Sequence, residues 1–177
     1  MATCTIVPLP AAKADFCNPT LNYGQIDEIR IGNFGEPFTD WTSPTEWGAR
    51  VDNADVADPT KIRQLNGIGD KPAADAPETA YSRGRTLYGT RTHTINFKID
   101  EVFEENYALL RFIEANPGQQ YAAWYRGGKF LYGGNDGVPA SVKVDHIIPE
   151  SSDELEYYQL VATWKGVHPE RVEDPLA

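Results

Sequence analysis

Three histidines, three evenly spaced aspartates, one glutamate pair, two glycine-rich runs and two cysteines are the places where this chain of 177 residues could carry chemistry. None of His93, His146 and His168 lies in a nucleophile elbow or in a histidine–glutamate zinc motif. His146 falls on the apolar stripe of an expected strand, which suits a satisfied core or interface histidine. His93 opens a strand and His168 precedes Pro169. Asp52, Asp55 and Asp58 are three residues apart. A calcium loop needs alternating ligands, a glycine and a distal glutamate, so this spacing reads as a loop. Glu104-Glu105 would serve acid–base catalysis only opposite another carboxylate in a cleft. In the first turn of a helix they simply complement its dipole. The runs GGKF and GGNDG (from Gly127 and Gly133) have no Ser or Thr after a lysine and lead into no helix, so they are turns and not phosphate loops. Cys4 and Cys17 have no clustered histidines to make a zinc site. A disulfide between them stays open, with reduced thiols expected in a cytoplasm. The expectation is a protein without catalytic residues, metal or cofactor.

Action through surfaces is then the alternative. The formal net charge is −10. Such a surface repels nucleic-acid phosphates and anionic membrane. The charge serves either solubility or the lining of a passage through which nucleic acid slides without sticking. Within this acidic chain SRGRTLYGTR is a basic stretch, with Arg83, Arg85 and Arg91 just after Tyr81. It is either a solvated strand edge or a patch complementary to an acidic surface of an identical neighbour. Phe38, Trp41 and Trp47 form a dense aromatic group. They read as a satellite core beneath a short helix or as an aromatic subunit contact. Phe38, Trp41, Trp47, Tyr81, Arg83, Arg85 and Arg91 are therefore the candidate subunit-interface residues.

The elements that would position these residues are mostly strands. Residues 1–20, with three prolines, read as an extended N-terminal arm. A weak alternation over 22–31 suggests a strand. Ser43-Pro44-Thr45-Glu46 reads as a cap, a first-turn proline and a glutamate reaching back, so a short helix follows through Val51. A loop over 52–60 and a strand over 61–68 come next. The segment 69–91 is a loop insertion, proline-rich and exposed over 69–79. His93 to Ile99 alternates cleanly. Asp100 is then expected to cap a helix over about 100–115, with Phe103, Tyr107, Leu110 and Ile113 as its apolar stripe, ended by Asn116-Pro117-Gly118. A hairpin follows, 121–126 with 129–132, turning at Gly127-Gly128. Two long strands, 138–148 and 158–164, each carry one apolar face, and a polar tail over 167–177 packs loosely. The predicted fold is mainly β, a sandwich or barrel with one flanking helix, in a single domain over 21–166. There is no apolar run of bilayer length and no signal-peptide pattern, so synthesis in a cytoplasm is expected.

From Thr90 onward the order is HTINFKI strand, DEVFEENYALLRFIEANPG helix, QQYAAWYRGGKFLYG hairpin, then the strands VPASVKVDHII and ELEYYQLVATWKG. This order, with ENYALLRF and YYQLVATWKG as its most similar segments, resembles the tail tube (major tail) proteins of tailed bacteriophages, related in fold to the type VI secretion tube protein. The resemblance covers about half the chain and rests on pattern; the aromatic first half does not map onto the family. It implies a virion structural protein made in the bacterial host cytoplasm. Its copies form hexameric rings that stack into a tube, contact other virion proteins and let DNA pass without specific binding. The arm and the 69–91 insertion would be ring-to-ring contacts. Two other roles fit the residues: a capsid decoration, head-fibre or connector protein, and a carbohydrate-binding module using Trp124, Tyr125 and Tyr132.

Overall fold

A computed structural model describes residues 24–81, 85–151 and 153–177. In chain order the elements are β1 (Ile26–Asn33), α1 (Pro44–Arg50), β2 (Arg63–Asp70), β3 (Glu78–Tyr81), β4 (Arg85–Tyr88) and β5 (Thr92–Ile99). Then come α2 (Glu104–Ala115), β6 (Gln120–Gly127), β7 (Phe130–Tyr132), β8 (Val138–Ile147), β9 (Tyr157–Lys165) and β10 (Arg171–Glu173). Six strands close into an antiparallel barrel in the order β1-β2-β5-β9-β8-β6, with β6 pairing back onto β1. The mainly-β expectation holds, and the sandwich-or-barrel choice falls to a barrel. Closure leaves these six strands without an open edge.

The barrel interior follows from period-two alternation. Ile95, Phe97 and Ile99 of β5 point inward, as do Tyr158, Leu160, Ala162 and Trp164 of β9. The chain leaves β5 and enters β6 at the same end of the barrel. There α2 lays Leu110 and Ile113 into the same core. A second core lies on the outer face of the β1–β6 wall, where Phe38, Trp41, Trp47 and Ile62 cover Ala122, Trp124 and Leu131. β6 is thus buried on both faces, which is why QYAAWYRG does not alternate. β1 is likewise buried on both faces, and a register shift between Ile26 and Glu28 breaks its parity further. The weak strand signal over 22–31 has this cause.

Several boundaries differ from expectation. α2 begins at Glu104, and its N-cap, Phe103, makes no side-chain cap bond. Residues 100–103 carry the chain from the barrel wall onto its end, so Asp100 pairs with Lys98 at 3.2 Å and caps nothing. Phe103 and Phe112 stay largely exposed, Tyr107 is partly covered, and only Leu110 and Ile113 of the helix are buried. Ser43 does cap α1. Glu46, however, accepts from the backbone of Thr39 (2.9 Å) and Asp40 (3.0 Å) instead of its own cap residue. The β6–β7 turn sits one residue later than the Gly-Gly reading. Gly127 pairs with Phe130, leaving Gly128, at φ +62°, and Lys129 as the loop. The insertion over 69–91 is not a bare loop, because β3 and β4 form a hairpin of their own. The tail is not loose, since β10 pairs with β7 and Asp174 is buried. The N-terminal arm and both cysteines lie outside the described residues.

Candidate functional site

Phe38, Trp41 and Trp47 are 4%, 6% and 0% exposed, so their side chains fill the second core of their own chain. Phe38 packs on Trp47 at 4.3 Å, Trp47 meets Trp124 edge-on at 5.5 Å, and Trp47 Nε1 donates to the Trp41 carbonyl. The satellite-core reading describes this arrangement. Tyr81 and Arg85 face each other in register at the end of the β3–β4 hairpin, and Arg83 lies outside the described residues. Arg91 is exposed next to β5, its carbonyl accepting from Gly166 N.

The hairpin stands as a separate two-stranded sheet. At its base Asp75 and Thr92 exchange backbone hydrogen bonds of 3.0 and 2.7 Å, and Gly89 N donates to the Pro77 carbonyl. Beyond that base both its edges are unpaired among the described residues. Leu87 and Tyr88 are 54% and 66% exposed. A lone two-stranded ribbon is marginal in water, and open edges template further pairing.

The two ends of the barrel differ in charge. At the α2 end the connections carry Asp100, Glu101, Glu104, Glu105, Glu150, Asp153, Glu154 and Glu156 beside the exposed Phe103, Ile148 and Leu155. His146 is there too, at the surface and 3.3 Å from Glu156, so of the core and interface readings of its place on the stripe the core one does not hold. Val144 is the last well-buried residue of that stripe.

At the opposite end the start of β1 and the ends of β2 and β6 border a mouth of about 540 Å³. Its wall includes Tyr125, Tyr132, Lys71, His168 and Arg171, with Asp70 as the acidic member. Tyr125 stacks on Tyr132 (4.9 Å) and meets Trp164 at 6.0 Å. Trp164 stacks on His93 (5.0 Å), and His93 meets His168 edge-on (5.0 Å). Burial pushes the Tyr125 hydroxyl pKa up and holds His93 below its ordinary range. Trp124 is fully buried and Tyr125 nearly so; of the three aromatics expected to bind sugar, only Tyr132 is partly exposed.

Sequence reading missed a buried charge network behind the β1–β6 wall. Arg30 is bonded to Glu28 through Nε and to both Asp174 oxygens through Nη2, at 3.1 and 2.9 Å. Arg126 reaches Asp27 (3.0 Å), Glu28 (3.1 Å) and Asp174 (3.3 Å). Side chains of Arg30, Glu28 and Asp174 are at most 2% exposed. Three carboxylates share two guanidinium groups, and burial outweighs Arg30 and Arg126 to raise the Glu28 pKa. Every carboxylate here is engaged by an arginine, so the network ties Asp174, just after β10, to β1 and β6. One signal for it was available: Glu28 and Arg30, opposite charges two residues apart on one parity of the strand, with Asp27 beside them in IDEIRIG. The distant Asp174 had none.

Asp52, Asp55 and Asp58 each accept backbone N–H bonds from residues two or three ahead, a run of side-chain turns that organises the loop. Among the described residues no group of three His, Cys, Asp or Glu side chains could hold a metal ion. No family model matches this sequence. A comparison with curated proteins likewise finds no match.

Proposed function

We propose that the chain is a self-assembling structural subunit of a phage virion, of the tail-tube kind, whose copies form stacked rings that conduct DNA. One observation carries this reading: the β3–β4 hairpin leaves the closed barrel with two edges unpaired among the described residues and with Leu87 and Tyr88 in water. A ribbon of this kind is stabilised by adding its strands or its apolar face to a neighbour. The acidic α2 end and the cation-bearing mouth give opposite ends of complementary sign, which favours one orientation of neighbouring copies over the other. The net charge of −10 suits a passage from which phosphates must slide away.

The test is sedimentation velocity and negative-stain microscopy over a wide concentration range. Rings or tubes are expected, and the double variant Leu87→Asp/Tyr88→Asp is expected to remain a folded monomer. The size of the effect on the association constant is at least about tenfold, since two apolar side chains leave the contact. A parent protein that stays monomeric at every concentration, or a double variant that assembles as well as the parent, overturns the proposal.

A further inference from the structure

We propose that the open mouth of the barrel is a binding site for a small organic carboxylate with a ring or apolar body. This does not depend on the assembly reading. The volume of about 540 Å³ lies in the range of small-ligand sites, and the wall joins glycines, Ile26, Tyr125, Tyr132 and Pro169 to a few polar groups. Two cations of that wall have no carboxylate partner among the described residues. Lys71 lies part-buried with Nζ 5.9 Å from the Trp164 ring, and Arg171 has its guanidinium 4.6 Å over Phe130. Burial lowers the Lys71 pKa, as it does for an ammonium that has left water without gaining a counter-charge.

Elsewhere in this molecule the buried Arg30 and the part-buried Arg126 are matched by acids. Here, in a chain with 26 acidic and 16 basic residues, the part-buried Lys71 and the exposed Arg171 share a wall whose one carboxylate among the described residues is Asp70. An anion completes that balance. A single negative charge suits it better than a double one, because Asp70 repels the second. The aromatic row beside the mouth also holds two buried nitrogens without a partner among the described residues, Trp164 Nε1 and His93 Nδ1. The ring body of such a ligand is accommodated by the tyrosine side of the mouth.

The experiment is a calorimetric and tryptophan-fluorescence titration of the full chain with benzoate, with benzamide as the neutral isostere. Saturable benzoate binding is expected, at least about tenfold tighter than benzamide, because a charge-assisted bond is lost with the charge. Lys71→Met and Arg171→Met are each expected to weaken benzoate about tenfold while leaving benzamide unchanged. Both side chains are at least partly accessible, so folding should survive; circular dichroism checks it. Should either variant unfold, the salt dependence of the parent protein replaces it, with benzoate affinity falling as ionic strength rises. No saturable binding, equal affinity for the two probes, or indifference to both variants and to salt overturns the proposal.

Discussion

Arg30→Met lowers the unfolding free energy by about 3–5 kcal/mol, the usual cost of removing one member of a buried ion network. The methionine fills the space against Trp47, over whose ring the guanidinium now sits at 4.7 Å. It leaves Glu28 and Asp174, both essentially without solvent, with Arg126 as their shared partner. Denaturant unfolding at neutral pH reads the loss. The triple variant Arg30→Met/Glu28→Gln/Asp174→Asn should recover much of it, since the stranded charges go with the arginine. Glu28→Gln alone has a different expectation. In the folded parent the Glu28 pKa is raised by burial, so protonation of Glu28 favours the folded state. That contribution is fully present below the ordinary carboxylate pKa and is lost as pH rises through the folded value. Glutamine mimics the protonated form, so Glu28→Gln stabilises relative to the parent at neutral pH, and the advantage disappears in acid. Asp52 and Asp58, half-buried and with pKa values lowered by hydrogen bonds, act in the opposite sense in both proteins and cancel in the comparison. A Glu28→Gln variant less stable than the parent at pH 7, with the gap closing in acid, would show that the two arginines outweigh burial.

The parts of this fold that were legible in the sequence are those buried on one face only. β5 and β9 alternate because one side of each meets the barrel core, and both were read nearly to the residue. The capped start of α1 is local chemistry and was equally plain. β1 and β6 were obscured because a second layer covers their outer faces, which removes the period-two signal. The β3–β4 hairpin was hidden for the opposite reason: residues 78–80 and 86–88 are exposed on both faces, so ETAY and RTLY show no apolar pattern. The aromatic interface candidates were correctly seen as a cluster, but only the structure supplies Trp124 as the partner that draws them inward. The mouth joins ends of β1, β2 and β6 with residues 168–171, positions far apart in the chain, and no spacing rule connects them.

Trp124→Ala should cost a further 3–5 kcal/mol or so, as truncation of a fully buried indole does, and the reason reaches beyond its size. The ring is the centre of the second core, edge-on to Phe38 at 5.4 Å and to Trp47 at 5.5 Å. Its Nε1 donates to the Gly134 carbonyl at 2.8 Å, so it also fixes the turn that aligns β7 with β8. That turn is glycine because of the indole. A Cβ on Gly133 would lie 2.2 Å from Trp124 Cδ1, and one on Gly137 would lie 2.9 Å from Cε2. Both also adopt positive φ, +155° and +68°. Gly133→Ala therefore carries two penalties, backbone strain of about 1–3 kcal/mol and overpacking of about 1–3 kcal/mol. Only the second depends on the indole. In a Trp124→Ala background the alanine methyl enters the space the ring has left, and the overpacking penalty goes while the strain stays. The double variant should then be more stable than the sum of the single losses by about 1–3 kcal/mol, measured as a double-mutant cycle in denaturant. Strict additivity would mean that the turn, and not the tryptophan, dictates the glycine.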